Sequence, residues 1–242
     1  MYPGLIHLVR QAKQGNVERI AISTNGSANI DLYNNLISAG VDDMSISLDA
    51  CCAAVGEKMS GAANGAWGRV IANIKSLSSR VYVSVGMVFD EHNVSTCEES
   101  VLFAGSLGVE DIRIIPSAQY NVALSALSEM PEDFLDKYPI LKYRVDNLKR
   151  GEHVRGMGGD DGGRCRLALD DMAVAGGEHG LKHFPCIIYL REGGAPIGDV
   201  GPQMRNERET WVLGHSPLDD DICKNNCLDV CVQFNRTARS AR

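Results

Sequence analysis

Between residues 5 and 116 the sequence alternates two periodicities, and that alternation restricts the fold more than any other feature. In LIHLVRQA, Leu5, Leu8, Val9 and Ala12 fall on one helical face. In NIDLYNNLISAG, Leu32, Tyr33, Leu36 and Ile37 do the same, and Gly40 is a good helix stop. WGRVIANIKSL repeats the pattern with Trp67, Val70, Ile71 and Ile74, and CEESVLFAGSLG gives a further helix ending at Gly108. The runs RIAIS (19–23), MSISLD (44–49), VYVSVGMVF (81–89) and DIRIIPS (111–117) read as short strands. Strand starts fall 25–40 residues apart with one amphipathic helix in each gap. This is a βαβ pattern, which predicts an α/β fold with a parallel sheet and right-handed crossovers. Four such units are too few to close a barrel, so an open or partial (β/α) barrel is expected. Met1-Tyr2-Pro3-Gly4 leads into a helix with no strand before it, and we expect that the start of the barrel is missing.

One strand breaks the rule for such sheets. Strands of parallel sheets are usually apolar on both faces. In SISLDA (45–50), Ser45, Ser47 and Asp49 lie on one face and Met44, Ile46 and Leu48 on the other. STNGS (23–27), one unit earlier, and Ile114-Ile115-Pro116-Ser117 also place polar or small residues at strand ends, and Ser84 and Gly86 share a face of the third strand. In parallel barrels the C-terminal strand ends build the active site. A face lined this way can admit a polar ligand.

Beyond residue 117 the alternation stops. Residues 131–149 read as one helix with Pro139 a candidate kink. RGMGGDDGGRC (155–165) is a Gly- and Asp-rich loop or boundary, without the Gly-Lys-Ser/Thr ending of a phosphate loop. The expected division is a barrel domain over 1–150 and a Cys-rich region over 151–242, read as irregular.

That second region holds five of the chain's eight cysteines: Cys165, Cys186, Cys223, Cys227 and Cys231. The last three recur every four positions and would share a face if helical, flanked by Lys224, Asn225, Asn226 and Asp229. Polar neighbours argue against a packing role. Thiolates in such numbers point to an iron–sulfur cluster, with zinc the alternative. Cys51 and Cys52 read as structural, Cys97 as core, and His183 and His215 as structural or solvated residues near the cysteines. A net charge of −7 argues against nucleic acid as main partner. No apolar run approaches the roughly 20 residues that span a membrane, and the first 15 residues lack a signal-peptide core. The expectation is a cytoplasmic protein.

STNGS, SISLDA, VGMVFDEHN and IRIIPS, in that order and spacing, resemble the third to sixth strand motifs of the radical S-adenosylmethionine (radical SAM) superfamily. The resemblance covers nearly the whole chain. It implies the later strands of a partial (β/α)6 barrel, with Thr24, Asn25, Ser47 and Asp49 contacting S-adenosylmethionine and Ile115 near its adenine. The third of these motifs ends at Asn93. Cys165, fourteen residues, Gly180, five residues and Cys186 miss by one the opening pattern of the auxiliary-cluster extensions called SPASM and twitch, and Cys227-x3-Cys231 is similar to a closing pair. This implies one auxiliary [4Fe-4S] cluster on four of the five cysteines. The family's Cys-x3-Cys-x2-Cys and Gly-Gly-Glu motifs are absent from these 242 residues. By the resemblance, an intact protein would hold S-adenosylmethionine and a second [4Fe-4S] cluster, form a 5′-deoxyadenosyl radical, and abstract hydrogen from a peptide or small molecule. A flavodoxin or ferredoxin would donate electrons. The chain by itself is expected to be inactive. The competing expectation is a non-catalytic scaffold that binds zinc or an Fe–S cluster.

Overall fold

The computed structural model describes residues 3–52, 56–57, 65–91, 93–116, 127–177 and 180–240. Met1, Tyr2 and Ser117 lie outside these residues. The chain divides into two compact units, Met1–Gly151 and Glu152–Arg242.

The first unit alternates helix and strand: α1 (Leu5–Gln14), β1 (Ala21–Thr24), α2 (Ile30–Ala39), β2 (Asp43–Ser47), α3 (Ala66–Ser78), β3 (Tyr82–Phe89), α4 (Cys97–Gly105) and β4 (Asp111–Pro116). The four strands form one sheet in the order β1-β2-β3-β4, and every pair is parallel. Because spatial order equals chain order, right-handed crossovers place α2, α3 and α4 on the same face of the sheet. Met44, Ile46, Val83, Val85, Met87, Phe89, Ile112 and Ile114 fill that covered face, with Leu36, Ile74 and Val101 against them from the helices. Val9 is the buried residue of α1, with Leu5 and Ile6 packed against the core beside it, while Leu8, grouped with it by spacing, is 55% exposed.

Residues 131–149 are not one helix. They form α5 (Glu132–Leu135) and α6 (Pro139–Lys149), and Pro139 occupies the first turn of α6. Proline there lacks only an N–H that the helix leaves free, so it starts a helix instead of kinking one. The buried Asp111 carboxylate accepts the next N–H groups, Ile140 at 3.0 Å and Leu141 at 3.4 Å. Strand β4 thereby caps the helix that packs on it.

The second unit is more regular than its composition suggests. It holds α7 (Leu167–Asp170), β5 (Ala173–Gly177), β6 (Gly180–Phe184), α8 (Ile187–Arg191), β7 (Gly198–Asp199), α9 (Met204–Gly214), α10 (Asp221–Asn226) and α11 (Asp229–Ser240). β5, β6 and β7 make an antiparallel sheet with β6 in the centre. Short strands rich in Gly, such as Ala173–Gly177, carry too little period-2 pattern to be read from sequence.

Candidate functional site

The face of the parallel sheet opposite α2, α3 and α4 is lined with small and polar residues. Register pairs Ser23 with Ser45, Ser45 with Ser84, Ser47 with Gly86, and Gly86 with Arg113. Alternation along each strand turns all of these away from the helices. Arg113 donates to the Ser45 hydroxyl across this face. Among the described residues, nothing lies within 4 Å of where a Gly86 side chain would begin.

At the C-terminal ends of β1 and β2 this face meets a cavity of about 320 Å³. Asn25, Ser27, Ser47, Leu48, Asp49 and Trp67 are among its walls. Local turns hold the polar groups. Asn25 Oδ1 accepts from Ser27 N at 3.1 Å and from Ser27 Oγ at 2.9 Å. Gly26 sits at φ +73°, and a Cβ there would fall 2.7 Å from Ile46 Cγ2, so only glycine makes this turn. Asn73, 4% exposed on α3, donates to the carbonyls of Gly26 at 2.8 Å and Ala28 at 2.9 Å and fixes the loop from beneath. No sequence pattern marked Asn73, because a lone Asn in a helix reads as solvated.

Asp49 both lines the cavity and ties two strands together. Its Oδ1 accepts Val88 N at 2.7 Å, extending the ladder from β2 to β3 beyond the strand end. Burial pushes its carboxyl above the usual range, against the pull of the Val88 N–H, and Asp90 adds to the rise. Asn93, 2% exposed, locks the same corner, donating to Val88 O at 2.9 Å and Asp49 O at 3.3 Å while accepting from Asp90 N at 2.8 Å.

The five residues predicted for the cofactor face are not all brought together. Asn25, Ser47 and Asp49 line one cavity. Thr24 pairs in register with Ile46 and so faces the helices, where its hydroxyl meets Tyr33 Oη at 3.0 Å and accepts Gly26 N at 3.1 Å. Ile115 pairs with Val88 on the face opposite α2, α3 and α4, outside that cavity's lining. The cavity fits a polar ligand by one further observation. The Trp67 indole N–H is buried in its wall with no hydrogen-bond partner among the described residues.

In the second unit the five cysteines converge. Cys227 ends α10 with extended backbone (φ −56°, ψ 133°), and α11 starts at Asp229, so Cys223, Cys227 and Cys231 do not ride one continuous helix. The turn is held from 154–157: Gly156 N donates to Cys227 O at 2.9 Å, Met157 N to Lys224 O at 2.9 Å, and Asp229 N to Val154 O at 3.0 Å. Cys186 caps α8, its Sγ accepting Tyr189 N at 3.5 Å. Electrostatic coupling links Cys186 to Cys165 and Cys231, and Cys223 to Cys165 and Cys186. Cys227 couples to Cys231, Cys165 and Cys223. Burial pushes the thiols of Cys165, Cys186 and Cys223 up. The neighbouring Cys231 thiol and burial raise Cys227, and Cys227 in turn lowers Cys231.

Two residues unmarked by any motif hold this arrangement. Arg208 on α9, 4% exposed, donates to the carbonyls of Ala168, Asp171, Phe184 at 2.9 Å and Pro185 at 3.1 Å. It joins the segment after Cys165 to the segment before Cys186. Its Nη1 also lies 3.4 Å from His183 Nδ1, and His183 Nε2 lies 2.9 Å from Glu207. Arg can only donate, so Nδ1 accepts and Nε2 carries the proton given to Glu207. This makes the fully buried His183 structural. Asn235 on α11 accepts Arg166 N at 2.7 Å and Leu167 N at 3.2 Å, and donates to Cys231 O at 3.1 Å and Cys165 Sγ at 3.6 Å.

The spread of the thiols bears on which metal they fit. Four thiolates on one zinc ion lie about 3.8 Å apart, given Zn–S bonds near 2.3 Å in a tetrahedron. Among the described residues, no three cysteine sulfurs lie within 4.8 Å of one another. A multi-iron cluster spaces its ligands more widely than one ion does, so the lack of a tight cysteine trio among the described residues is compatible with such a cluster.

No protein-family model matches the chain. It is 31% identical over 156 residues to a protein named "Probable GTP 3′,8-cyclase" from Saccharolobus solfataricus, a match covering 62% of this chain. The match spans about half of that relative, 49% of its length. Such cyclases are radical SAM enzymes, so this distant and partial likeness supports the radical SAM superfamily and nothing narrower. Among the described residues, no helix is long and apolar enough to cross a membrane.

Proposed function

We propose that this chain carries the later strand units of a radical SAM enzyme, with the strand-end cavity as its S-adenosylmethionine face and the cysteine set as an auxiliary [4Fe-4S] site. The observation that carries the reading is the coincidence of Asn25, Ser47 and Asp49, expected at the cofactor, in one cavity at the end of a polar sheet face. The similarity to a probable GTP 3′,8-cyclase supports it. When bound with a catalytic cluster, S-adenosylmethionine supplies a 5′-deoxyadenosyl radical that abstracts hydrogen from a substrate. These 242 residues contain no Cys-x3-Cys-x2-Cys, and we assign that step to none of them.

What these residues do is bind and orient. Ser47 and Asn25 offer hydroxyl and amide groups to the ribose and methionine parts. Asp49, anchored by Val88, offers its second oxygen as an acceptor. Trp67 and Leu48 supply apolar wall that limits water. In the second unit, four of Cys165, Cys186, Cys223, Cys227 and Cys231 would hold the cluster, which would bind substrate or take up the surplus electron. The substrate is a peptide or small molecule, and reduction comes from a flavodoxin or ferredoxin.

Equilibrium dialysis with labelled S-adenosylmethionine tests the cavity. Binding should weaken by about 10-fold or more in Ser47→Ala/Asp49→Asn, on the scale of two lost hydrogen bonds. Equal binding by wild type and the double variant would remove the assignment. Iron and sulfide analysis after anaerobic reconstitution tests the cluster, and zinc without sulfide would replace it with the non-catalytic scaffold.

A further inference from the structure

Five cysteines are one more than a [4Fe-4S] cluster needs, and the surroundings of Cys223 differ from those of the other four. His215, Asp220 and Cys223 bring three ligand atoms of different chemistry within 4.8 Å of one another, the only such group among the described residues. His215 Nε2 stands 3.5 Å from Cys223 Sγ. Tetrahedral zinc with Zn–N near 2.05 Å and Zn–S near 2.3 Å sets its N and S ligands about 3.6 Å apart. The pair is therefore already at ligand spacing.

The supports are also those of a metal site. Asp220 is held twice, accepting Cys223 N at 2.8 Å through Oδ1 and the Tyr189 hydroxyl at 2.9 Å through Oδ2. Each oxygen keeps a lone pair for a metal. The His215 ring is stacked on Trp211, with centroids 3.9 Å apart and planes at 19°, and Tyr189 meets it edge-on. Neighbours of this kind fix the orientation of first ligands. His, carboxylate and thiolate together suit a borderline divalent ion such as zinc.

We infer that His215, Asp220 and Cys223 form a mononuclear zinc-type site, distinct from a cluster held by Cys165, Cys186, Cys227 and Cys231. Three protein ligands leave the fourth position open to water or a substrate group. Binding releases the Cys223 thiol proton to solvent, with no change of oxidation state. The inference rests on the proposed cluster only in leaving the other four cysteines to it.

The test uses the 242-residue protein, reconstituted with iron and sulfide and then titrated with Co(II), whose thiolate charge-transfer band reports a Co–S bond. Wild type should gain one Co(II) per chain, displaceable by zinc. Cys223→Ser should abolish the band while iron and sulfide stay at wild-type content. His215→Gln should weaken Co(II) binding by more than about 100-fold, the upper range for losing a residue that only supports a ligand. Cys227→Ser should keep the band and lose iron. The inference is overturned if Cys223→Ser loses iron and sulfide, which would place Cys223 on the cluster, or if His215→Gln binds Co(II) as wild type does. If wild type takes up no iron, the cluster reading fails, while the His215→Gln comparison still decides the cobalt site. Should Cys223→Ser fail to fold, His215→Gln, which alters a half-buried ring, decides alone.

Discussion

Asn235 donates from Nδ2 to the sulfur of Cys165 at 3.6 Å, across 70 residues of sequence, while its Oδ1 caps the turn that follows Cys165. One amide therefore sets where Cys165 stands relative to Cys231 one turn earlier on α11. Replacing it with Ala leaves the N–H groups of Arg166 and Leu167 without their acceptor. We expect Asn235→Ala to cost about 1–3 kcal/mol in urea denaturation of the second unit. Unchanged stability would mean that water replaces the amide and that Asn235 does not set the sulfur position.

Arg208 has a larger effect for the same reason. It satisfies four carbonyls, three of them buried, from two segments with one planar group, a geometry that Lys cannot match. Arg208→Lys should lower stability by about 3 kcal/mol, with loss of metal uptake exceeding that of any single-cysteine variant. A Lys variant with wild-type melting and metal content would show that the fork is dispensable.

The turn at Gly26 is sterically closed to other residues. Gly26→Ala meets both a left-handed backbone and a Cβ 2.7 Å from Ile46 Cγ2. A cost of about 1–3 kcal/mol follows from the backbone alone. Because Asn25 hangs on the same turn, ligand affinity should fall with stability, measured by dialysis at a temperature where the variant is fully folded.

Glu132 supplies a pH signature for the first unit. Hydrogen bonds from Lys142 and Lys149, at 2.7 Å and 2.9 Å, lower its pKa from 4.5 to about 2. A depressed carboxyl contributes stability that is complete above its unfolded value and lost as pH falls. The loss should therefore fall between about pH 4.5 and about pH 2, and NMR titration of the Glu132 carboxyl should place its midpoint low in that window. The pair is exposed, so 0.5 M salt should move the midpoint back upward. A midpoint near 4.5 at low salt would show that the ion pairs do not persist.

The parallel sheet was readable because period 2 and period 3.6 alternate cleanly, and each strand shows its buried set: Met44 and Ile46, Val83 and Val85, Ile112 and Ile114. The polar face was readable for the same reason. What sequence could not supply was the meaning of single residues whose partners are far away. Pro139 looked like a kink, and only Asp111, 28 residues earlier, shows that it starts a capped helix. The regular spacing of Cys223, Cys227 and Cys231 suggested one helical face, but the ladder from 154–157 draws Cys227 into a turn. Arg208, Asn73 and Asn235 carry no motif, since each acts by satisfying backbone groups that the chain brings from elsewhere. His215 and Asp220 were separable from background only once Trp211 and Tyr189 were seen to hold them.

The single-sided winding of the sheet has a consequence for how such a chain can change over evolution. Residues that fold it and residues of the polar face alternate along the same strands. Under the proposed function, substitutions at Ser47 would redraw what is recognised while Met44, Ile46, Val85 and Met87 keep the scaffold upright. A saturation library across β2 and β3 would then show tolerance with a period of two, and innovation confined to every second codon.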